Sequence, residues 1–337
     1  MMAVMLKGGI IGFGGLGKVH FDGIKKLRDM AEIVAICDVD SSRFETAVTT
    51  NLQNNGEKAD LSECRLYTNA YEMLDKEKLD FVVIATPTWL HAELAVAALE
   101  KGIHVLSEKP MARSIEGCKK MIEAAKANHR LLSVGQCLRF SKEYLKLKEL
   151  IDSKEYGELV RLEMNRLSQP PTWGYQNWFM DFSKCGGAAL DLHVHDVDFM
   201  QYALGMPLSV SSEASSRKWV FDYISTRYQY ESGAIVRITA DWSLNLAFGF
   251  RADYFAVFDR AVCYLKDGKV FICPDDGECF QAEFEETDMY VEEKRYFFEC
   301  IAQNKANERI APESAMKSIK IIMAEMESAQ SGQTVSL

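Results

Sequence analysis

Gly12, Gly14 and Gly17 stand in G-x-G-x-x-G spacing directly after the apolar pair Ile10-Ile11, and Lys18 to Leu27 then reads at helical period through Val19, Ile24 and Leu27. This strand–turn–helix context is what a dinucleotide-binding fingerprint requires. Gly12 would allow the tight turn, Gly14 would let backbone approach a pyrophosphate, and Gly17 would let the helix pack on the strand. The loop Gly12, Phe13, Gly14, Gly15, Leu16 and Gly17 is thus a candidate phosphate cradle, backed by the unpaired N–H groups of a helix start.

Glycine-rich turns are common, so the second half of the unit carries the weight. Glu32 to Asp38 is a buried-strand pattern that ends in a carboxylate, about two dozen residues past the first glycine, as the fingerprint expects. Asp38 can accept hydrogen bonds from both hydroxyls of an adenosine ribose and would repel a 2′-phosphate. NAD is therefore favoured over NADP. Arg43 can stack on adenine or pair with a phosphate, which keeps NADP as the alternative.

A chain of 337 residues suits two domains better than one core. Its formal net charge of −10 and lack of a basic tract argue against nucleic-acid binding. No apolar run is long enough to span a bilayer. Met1 to Lys7 lacks a basic leader and runs straight into the first strand, so it does not read as a signal peptide. Nine scattered cysteines, an odd number without a C-x-x-C pair, suggest free thiols and a cytoplasmic setting.

The chain continues as alternating elements. A helix is expected over Ser42 to Asn54, then a polar connection through Gly56 and Asp60, and a helical turn at Tyr71 to Leu74. Strands are expected at Leu79 to Pro87, His104 to Pro110 and Leu131 to Gly135, with helices over Trp89 to Lys101 and Ser114 to Ala127. Such alternation means right-handed βαβ units and a parallel sheet covered on both faces. Beyond Gly135 a helix over Glu143 to Ile151 precedes period-two segments at Leu159 to Asn165, Tyr223 to Tyr230, Ala234 to Trp242, Ala252 to Phe258 and Val270 to Cys273. These read as a mostly antiparallel sheet with one wet face. Helices over Leu190 to Leu204, Asp288 to Gln303 and Pro312 to Gln330 complete the pattern. The expected fold is α/β: a doubly wound N-terminal Rossmann domain over 1–135, and an α+β domain with an open sheet over 136–337. A C-terminal helix could pack back on the first domain, and the open sheet face is a candidate homodimer or homotetramer interface.

Two stretches could carry chemistry. In Ser107-Glu108-Lys109-Pro110, Lys109 falls at the carboxyl end of a strand, where open α/β sheets bind ligands. Its ammonium could hydrogen-bond a substrate hydroxyl and stabilise alkoxide character as hydride leaves. Pro110 would fix the turn and so the aim of Lys109. A plain surface lysine is the competing reading. In the second stretch, Cys185 to Asp198, Asp191 and His195 are i and i+4 and would share one helix face. His195 has the pKa to act as general base, and Asp191 could orient it or bind substrate. His193 points elsewhere and reads as structural. A metal at Asp191 and His195 lacks a third ligand in the sequence, so no metal is expected. Between the two stretches, Trp173, Tyr175 and Trp178 could wall a sugar pocket or simply pack a surface loop.

These pieces in this order resemble the Gfo/Idh/MocA family of glucose–fructose oxidoreductases, inositol dehydrogenases and relatives. The matching residues are Gly12, Gly14, Gly17 and Asp38; Thr86-Pro87 followed by His91; Glu108-Lys109-Pro110; Arg139-Phe140 after Gly135; and Gly186-Gly187 with Asp191, His195 and Asp196. The resemblance runs from the start to about residue 205. It implies reversible NAD(P)-dependent oxidation of a secondary hydroxyl on a sugar, cyclitol or related polyol. It also implies cofactor contacts at Thr86, Pro87, His91, Glu108 and Arg139, a catalytic Lys109, a substrate carboxylate in Asp191 and a base in His195. The segment Gly135-Gln-Cys-Leu-Arg139 lacks the asparagine often found there, which leaves the local contacts of Arg139 open. Two other readings stay open: an NAD-dependent glycosidase working by transient oxidation, and a non-catalytic dinucleotide-binding regulator, which would need none of Lys109, Asp191 and His195.

Overall fold

The computed structural model describes residues 5–47 and 58–337. Two compact units emerge from it, one comprising 1–135 with 288–316 and the other 136–287 with 317–337.

The first unit starts with β1 (Leu6–Ile11), α1 (Gly15–Lys25), β2 (Ala31–Cys37), β3 (Arg65–Tyr67) and α2 (Ala70–Lys76). It continues with β4 (Phe81–Ile84), α3 (His91–Glu100), β5 (His104–Glu108), α4 (Ile115–Ala127) and β6 (Leu132–Gly135). The six strands are parallel in the order β3-β2-β1-β4-β5-β6. That is the doubly wound Rossmann order, in which the direction of winding reverses between β1 and β4. All four residues of β4 are buried, as a strand covered on both faces should be. Gly8 in β1 has a packing reason: a Cβ there would lie 2.1 Å from the Phe81 ring. The later segment of this unit supplies Phe297 and Phe298, whose rings lie 6.1 and 4.8 Å from that of Phe81.

The second unit contains α5 (Lys142–Ser153), β7 (Leu159–Ser168), α6 (Phe182–Cys185), α7 (Gly187–Asp191) and α8 (Val194–Leu204). After these come β8 (Ser209–Ser215), β9 (Tyr223–Gln229), β10 (Ile235–Asp241), β11 (Phe250–Phe258), β12 (Ala261–Lys266), β13 (Lys269–Pro274) and β14 (Phe280–Gln281). Helix α9 (Met289–Ala302) belongs to the first unit, α10 (Pro312–Ser331) begins there and continues in the second, and β15 (Val335–Ser336) ends the chain. The nine strands run in the order β14-β13-β12-β11-β7-β10-β9-β8-β15 and are antiparallel except for β7 with β10. Alternate residues of β9 and β10 are buried, which gives the sheet one packed and one wet face. On the packed face Tyr144 of α5 meets Phe199 of α8 and Tyr254 of β11 edge-on, at 5.0 and 5.6 Å.

Several expectations need correction. The helix expected over Ser42 to Asn54 is, where described, a single 3₁₀ turn at Ser41–Phe44 capped by Asp40; residues 48–57, including Gly56, lie outside the described residues. The helix expected over Leu190 to Leu204 is broken into α7 and α8. His193 N–H bonds to the Ala188 carbonyl, skipping the normal i−4 partner, which interrupts the ladder although Leu192 and His193 keep right-handed helical dihedrals. The strands β3, β8 and β12 and the two-residue β14 and β15 lie where no strand is expected, β8 because its serine-rich alternation carries little apolar contrast; Cys273 and Cys279 form a disulfide across the β13–β14 hairpin. The other seven cysteines are free.

Candidate active site

In the first unit, β1 ends where Gly12 takes φ +92° and its N–H reaches the Cys37 carbonyl at 2.8 Å. A Cβ on Gly12 would lie 2.6 Å from the Ala85 carbonyl oxygen, and one on Gly17 would lie 2.0 Å from that of Gly12. At Gly14 nothing stands within 4 Å of the same position, so this glycine keeps space open at the mouth of the loop. Helix α1 begins there with no side-chain cap and no acidic residue in its first turn. Its positive end is left for an anion, and a dinucleotide pyrophosphate fits it. Phe13 contributes backbone only: its ring is buried, edge-on to Phe21 at 5.9 Å.

Asp38 braces this loop. Its Oδ2 accepts the Phe13 N–H at 2.7 Å and its Oδ1 the Asp40 N–H at 2.9 Å. Each carboxylate oxygen has two lone pairs, so both retain capacity for a ribose hydroxyl. Arg43 pairs with Asp40 at 3.3 Å, the partner found for it within this turn.

The ends of β4 and β5 are joined by His91, the first residue of α3 and 1% exposed. Its Nε2 lies 2.8 Å from the Thr86 carbonyl oxygen and its Nδ1 2.8 Å from that of Pro110. The preceding residue of the lysine turn, Glu108, is also buried. Its Oε1 lies 2.7 Å from His20 Nε2, and its Oε2 accepts the Lys109 N–H at 3.1 Å. Burial works to raise the Glu108 pKa, but the His20 hydrogen bond and the nearby Lys109 outweigh it and hold the carboxyl below its ordinary value. Lys109 itself is half-buried, and its peptide bond to Pro110 is cis.

In the second unit, Asp181 caps α6, and Gly186 and Gly187 both take positive φ before α7. A Cβ on Gly187 would lie 2.5 Å from the Val220 carbonyl oxygen, so the chain can pass there only as glycine. This delivers a buried Asp191 at the end of α7 and a half-buried His195 in the first turn of α8. The residues around His195 are pinned. Asp196 accepts two hydrogen bonds from Arg166, at 2.6 and 2.9 Å. Asp198 accepts two from Arg139, both at 2.7 Å, and a third from Ser318 at 2.8 Å. Arg139 is 1% exposed and its guanidinium lies 4.8 Å from the Tyr202 ring centroid. Arg139 thus grips α8 through Asp198 and Tyr202. His193, fully buried, has Nε2 3.1 Å from Glu325 Oε2 and 3.3 Å from the Tyr228 hydroxyl, while that hydroxyl donates to Glu325 Oε1 at 2.6 Å. Of the loop aromatics, Trp173 and Tyr175 are exposed. Trp178 is buried, stacked on Phe179 at 3.9 Å and packed among Cys185, Ala188 and Trp242.

The sequence singled out Lys109, Asp191 and His195 but not the buried groups that face their chain neighbours Glu108 and His193. His20, Tyr228, Glu325 and the buried pair Glu293-Lys294 carry no motif; only His20, one helical turn past Gly17, sat near a recognised element. Among the described residues no cluster of three or more His, Cys, Asp or Glu side chains could hold a metal ion.

A Rossmann sheet with this glycine loop and acidic strand end defines a dinucleotide-binding protein. Residues 6–136 match the sequence model of the GFO_IDH_MocA "Oxidoreductase family, NAD-binding Rossmann fold", and residues 144–255 match that family's C-terminal domain. The chain belongs to this oxidoreductase family, and its first unit is an NAD-binding Rossmann domain. It is 28% identical over 200 residues to an inositol 2-dehydrogenase of Salmonella typhimurium, covering 59% of this chain and 54% of that one. It is 29% identical over 255 residues to inositol 2-dehydrogenase 4 of Saccharopolyspora erythraea, covering 73% and 69%. The chain thus spans about half the length of the Salmonella relative it matches. The WlbA dehydrogenase of Bordetella pertussis, solved with NADH and UDP-GlcNAcA, shares the fold, with TM-score 0.82, 21% identity and 99% of each chain covered.

Proposed function

We propose that this protein is an NAD-dependent oxidoreductase that moves hydride between the nicotinamide and a secondary hydroxyl of a cyclitol, sugar or related polyol. The observation that carries the reading is the placement of Lys109 at the carboxyl end of β5, in the same sheet whose β1 end forms the NAD loop. The cofactor, when bound, accepts or returns the hydride. Lys109 hydrogen-bonds the reacting hydroxyl and stabilises the charge that grows on its oxygen. His195 takes the hydroxyl proton as general base, and Asp191 orients the substrate or the imidazole. Trp173, exposed on its loop, offers an apolar face for a sugar ring, a part for which the buried Trp178 is less suited. Asp38 supports NAD over NADP, because its two oxygens are already aimed by backbone N–H groups and a 2′-phosphate would meet its charge.

The wet sheet face supports self-association. Phe255, Tyr264 and Phe271 are cross-strand neighbours whose rings stack at 6.4 and 5.2 Å, with Arg161 over the first. Such an aromatic row is the kind of surface a homodimer or homotetramer covers. No described helix is long and apolar enough to cross a membrane. The seven free cysteines support a cytoplasmic setting, with Cys273–Cys279 the feature that runs against it.

The test is a panel of myo- and scyllo-inositol, glucose, galactose, xylose and the sugar acids with NAD and then NADP, following absorbance of the reduced cofactor. Steady NADH formation with one of them is expected. No turnover across the panel, with NAD retained by the protein and glycosides cleaved, would replace this reading with that of an NAD-dependent glycosidase.

A further inference from the structure

Two buried histidines grip the residues on either side of Lys109, and each comes from a helix that starts at one of the loops closing the NAD-binding edge of the sheet. His20, in α1, bonds Glu108 at 2.7 Å, and the other oxygen of Glu108 accepts the Lys109 N–H at 3.1 Å. His91, opening α3, faces the Pro110 carbonyl oxygen at 2.8 Å with one nitrogen and the Thr86 carbonyl oxygen at 2.8 Å with the other. We propose that His20 and His91 are positioning residues that act through Lys109, setting the place of its ammonium relative to the dinucleotide loop and the Thr86-Pro87 strand end. The inference rests on the reading of Lys109 given above.

The surroundings leave the lysine turn little freedom. His20 is 0% exposed and Glu108 5% exposed, and a Cβ on Gly135 would already stand 3.1 Å from Glu108 Oε1. Glycine at 135 thus leaves the room that this carboxylate occupies, and the bonds to His20 and to the Lys109 N–H hold it there. Burial pushes both imidazoles below their ordinary pKa. A neutral ring carries one N–H, so His20 donates it from Nε2 to Glu108, while His91 donates to Thr86 or to Pro110 according to tautomer. Desolvating two imidazoles is costly unless their hydrogen bonds are made, and residues that merely fill space would be apolar. A reacting group displaced by about 1 Å typically loses on the order of 10²-fold in rate, so small adjustments of this turn matter to turnover.

The experiment is a double-mutant cycle. His91→Phe and His20→Leu remove the donors, His91→Gln and His20→Gln keep one, and each is made in the native chain and in Lys109→Ala. The dissociation constant for NADH and the thermal midpoint are measured beside kcat and KM. The expected result is a loss of kcat of roughly 10- to 100-fold in His91→Phe and His20→Leu, with NADH affinity changed less than about threefold. The Gln variants should recover part of it, and in the Lys109→Ala background little further loss should follow, since the residues would act through one group. Losses that simply multiply with that of Lys109→Ala, or that track NADH affinity, would overturn the proposal. A Lys109→Ala protein with native turnover would instead remove the reading of Lys109 itself. As a readout without turnover, the lysines are reductively methylated with ¹³C-formaldehyde, and the dimethylamine resonance that vanishes in Lys109→Ala should move in His91→Phe and His20→Leu; an unmoved resonance in folded variants would also overturn the proposal.

Discussion

Glu293 shows how much a single side chain can cost in this protein. It is 0% exposed, and neither carboxyl oxygen has a hydrogen-bond partner. Burial, and then the charge of Glu108, push its pKa from an ordinary 4.5 to about 8. The folded state then holds a proton that the unfolded state has lost, so stability falls as pH rises from about 4.5 to about 8, by roughly 1.4 kcal/mol per pH unit at most. Glu293→Gln should therefore match the native protein near pH 5 and exceed it at pH 8 in urea unfolding; parallel pH curves would show that Glu293 is not the titrating group. Asp38 makes a different prediction at the same scale. Asp38→Ala should weaken NAD binding roughly 10- to 100-fold, as expected for lost charged hydrogen bonds, and narrow the NAD/NADP ratio. Unchanged selectivity in paired titrations would take Asp38 out of the ribose site.

Helix α8 is held less by its own propensity than by two buried ion pairs, Arg166–Asp196 and Arg139–Asp198. Replacing one partner strands a buried charge, which typically costs about 3–5 kcal/mol. Asp198→Asn should thus lower the unfolding free energy by about 3 kcal/mol, whereas Asp198→Leu with Arg139→Leu should lose less. Chemical denaturation of the three proteins checks the order, and an Asp198→Asn protein as stable as the native one would mean that Gln201 and the remaining amide oxygen suffice as acceptors for Arg139. Element by element, the sequence was most legible where glycine or a carboxylate performs a backbone task. Gly12 and Gly17 stand where the spacing puts them because a Cβ there would clash with backbone, and Asp38 because a carboxylate at that strand end accepts the loop's N–H groups. The break between α7 and α8 was illegible, because Leu192 and His193 fit a helical period and only the bonding of His193 N–H to Ala188 reveals the interruption.

At the level of the whole molecule, the aromatic row on the wet face of the second sheet predicts an assembly. Phe255→Asp with Phe271→Asp should reduce the mass found by light scattering to that of one chain while leaving the fold intact. A native protein already monomeric at micromolar concentration would remove this face as an interface. Connectivity also matters at this scale: residues 288–316 rejoin the first unit through Phe297 and Phe298, so truncation before Asp288 should destabilise the Rossmann unit, although its motifs end near Gly135.

Apart from the strands β3, β8 and β12 and the two-residue β14 and β15, the sequence alone determined the parallel Rossmann sheet, the glycine loop with Asp38, and the alternating strands of the second sheet. Each of these follows from local rules of period, φ and hydrogen bonding, which neighbouring residues carry in full. Only the tertiary structure decided what surrounds Lys109 and His195. His20 reaches Glu108 across 88 residues and Arg139 reaches Asp198 across 59, and no periodicity links groups that far apart. Such pairings exist because burial makes an unpartnered polar group expensive, and which partner meets which is settled by how helices and strands pack, not by their spacing along the chain.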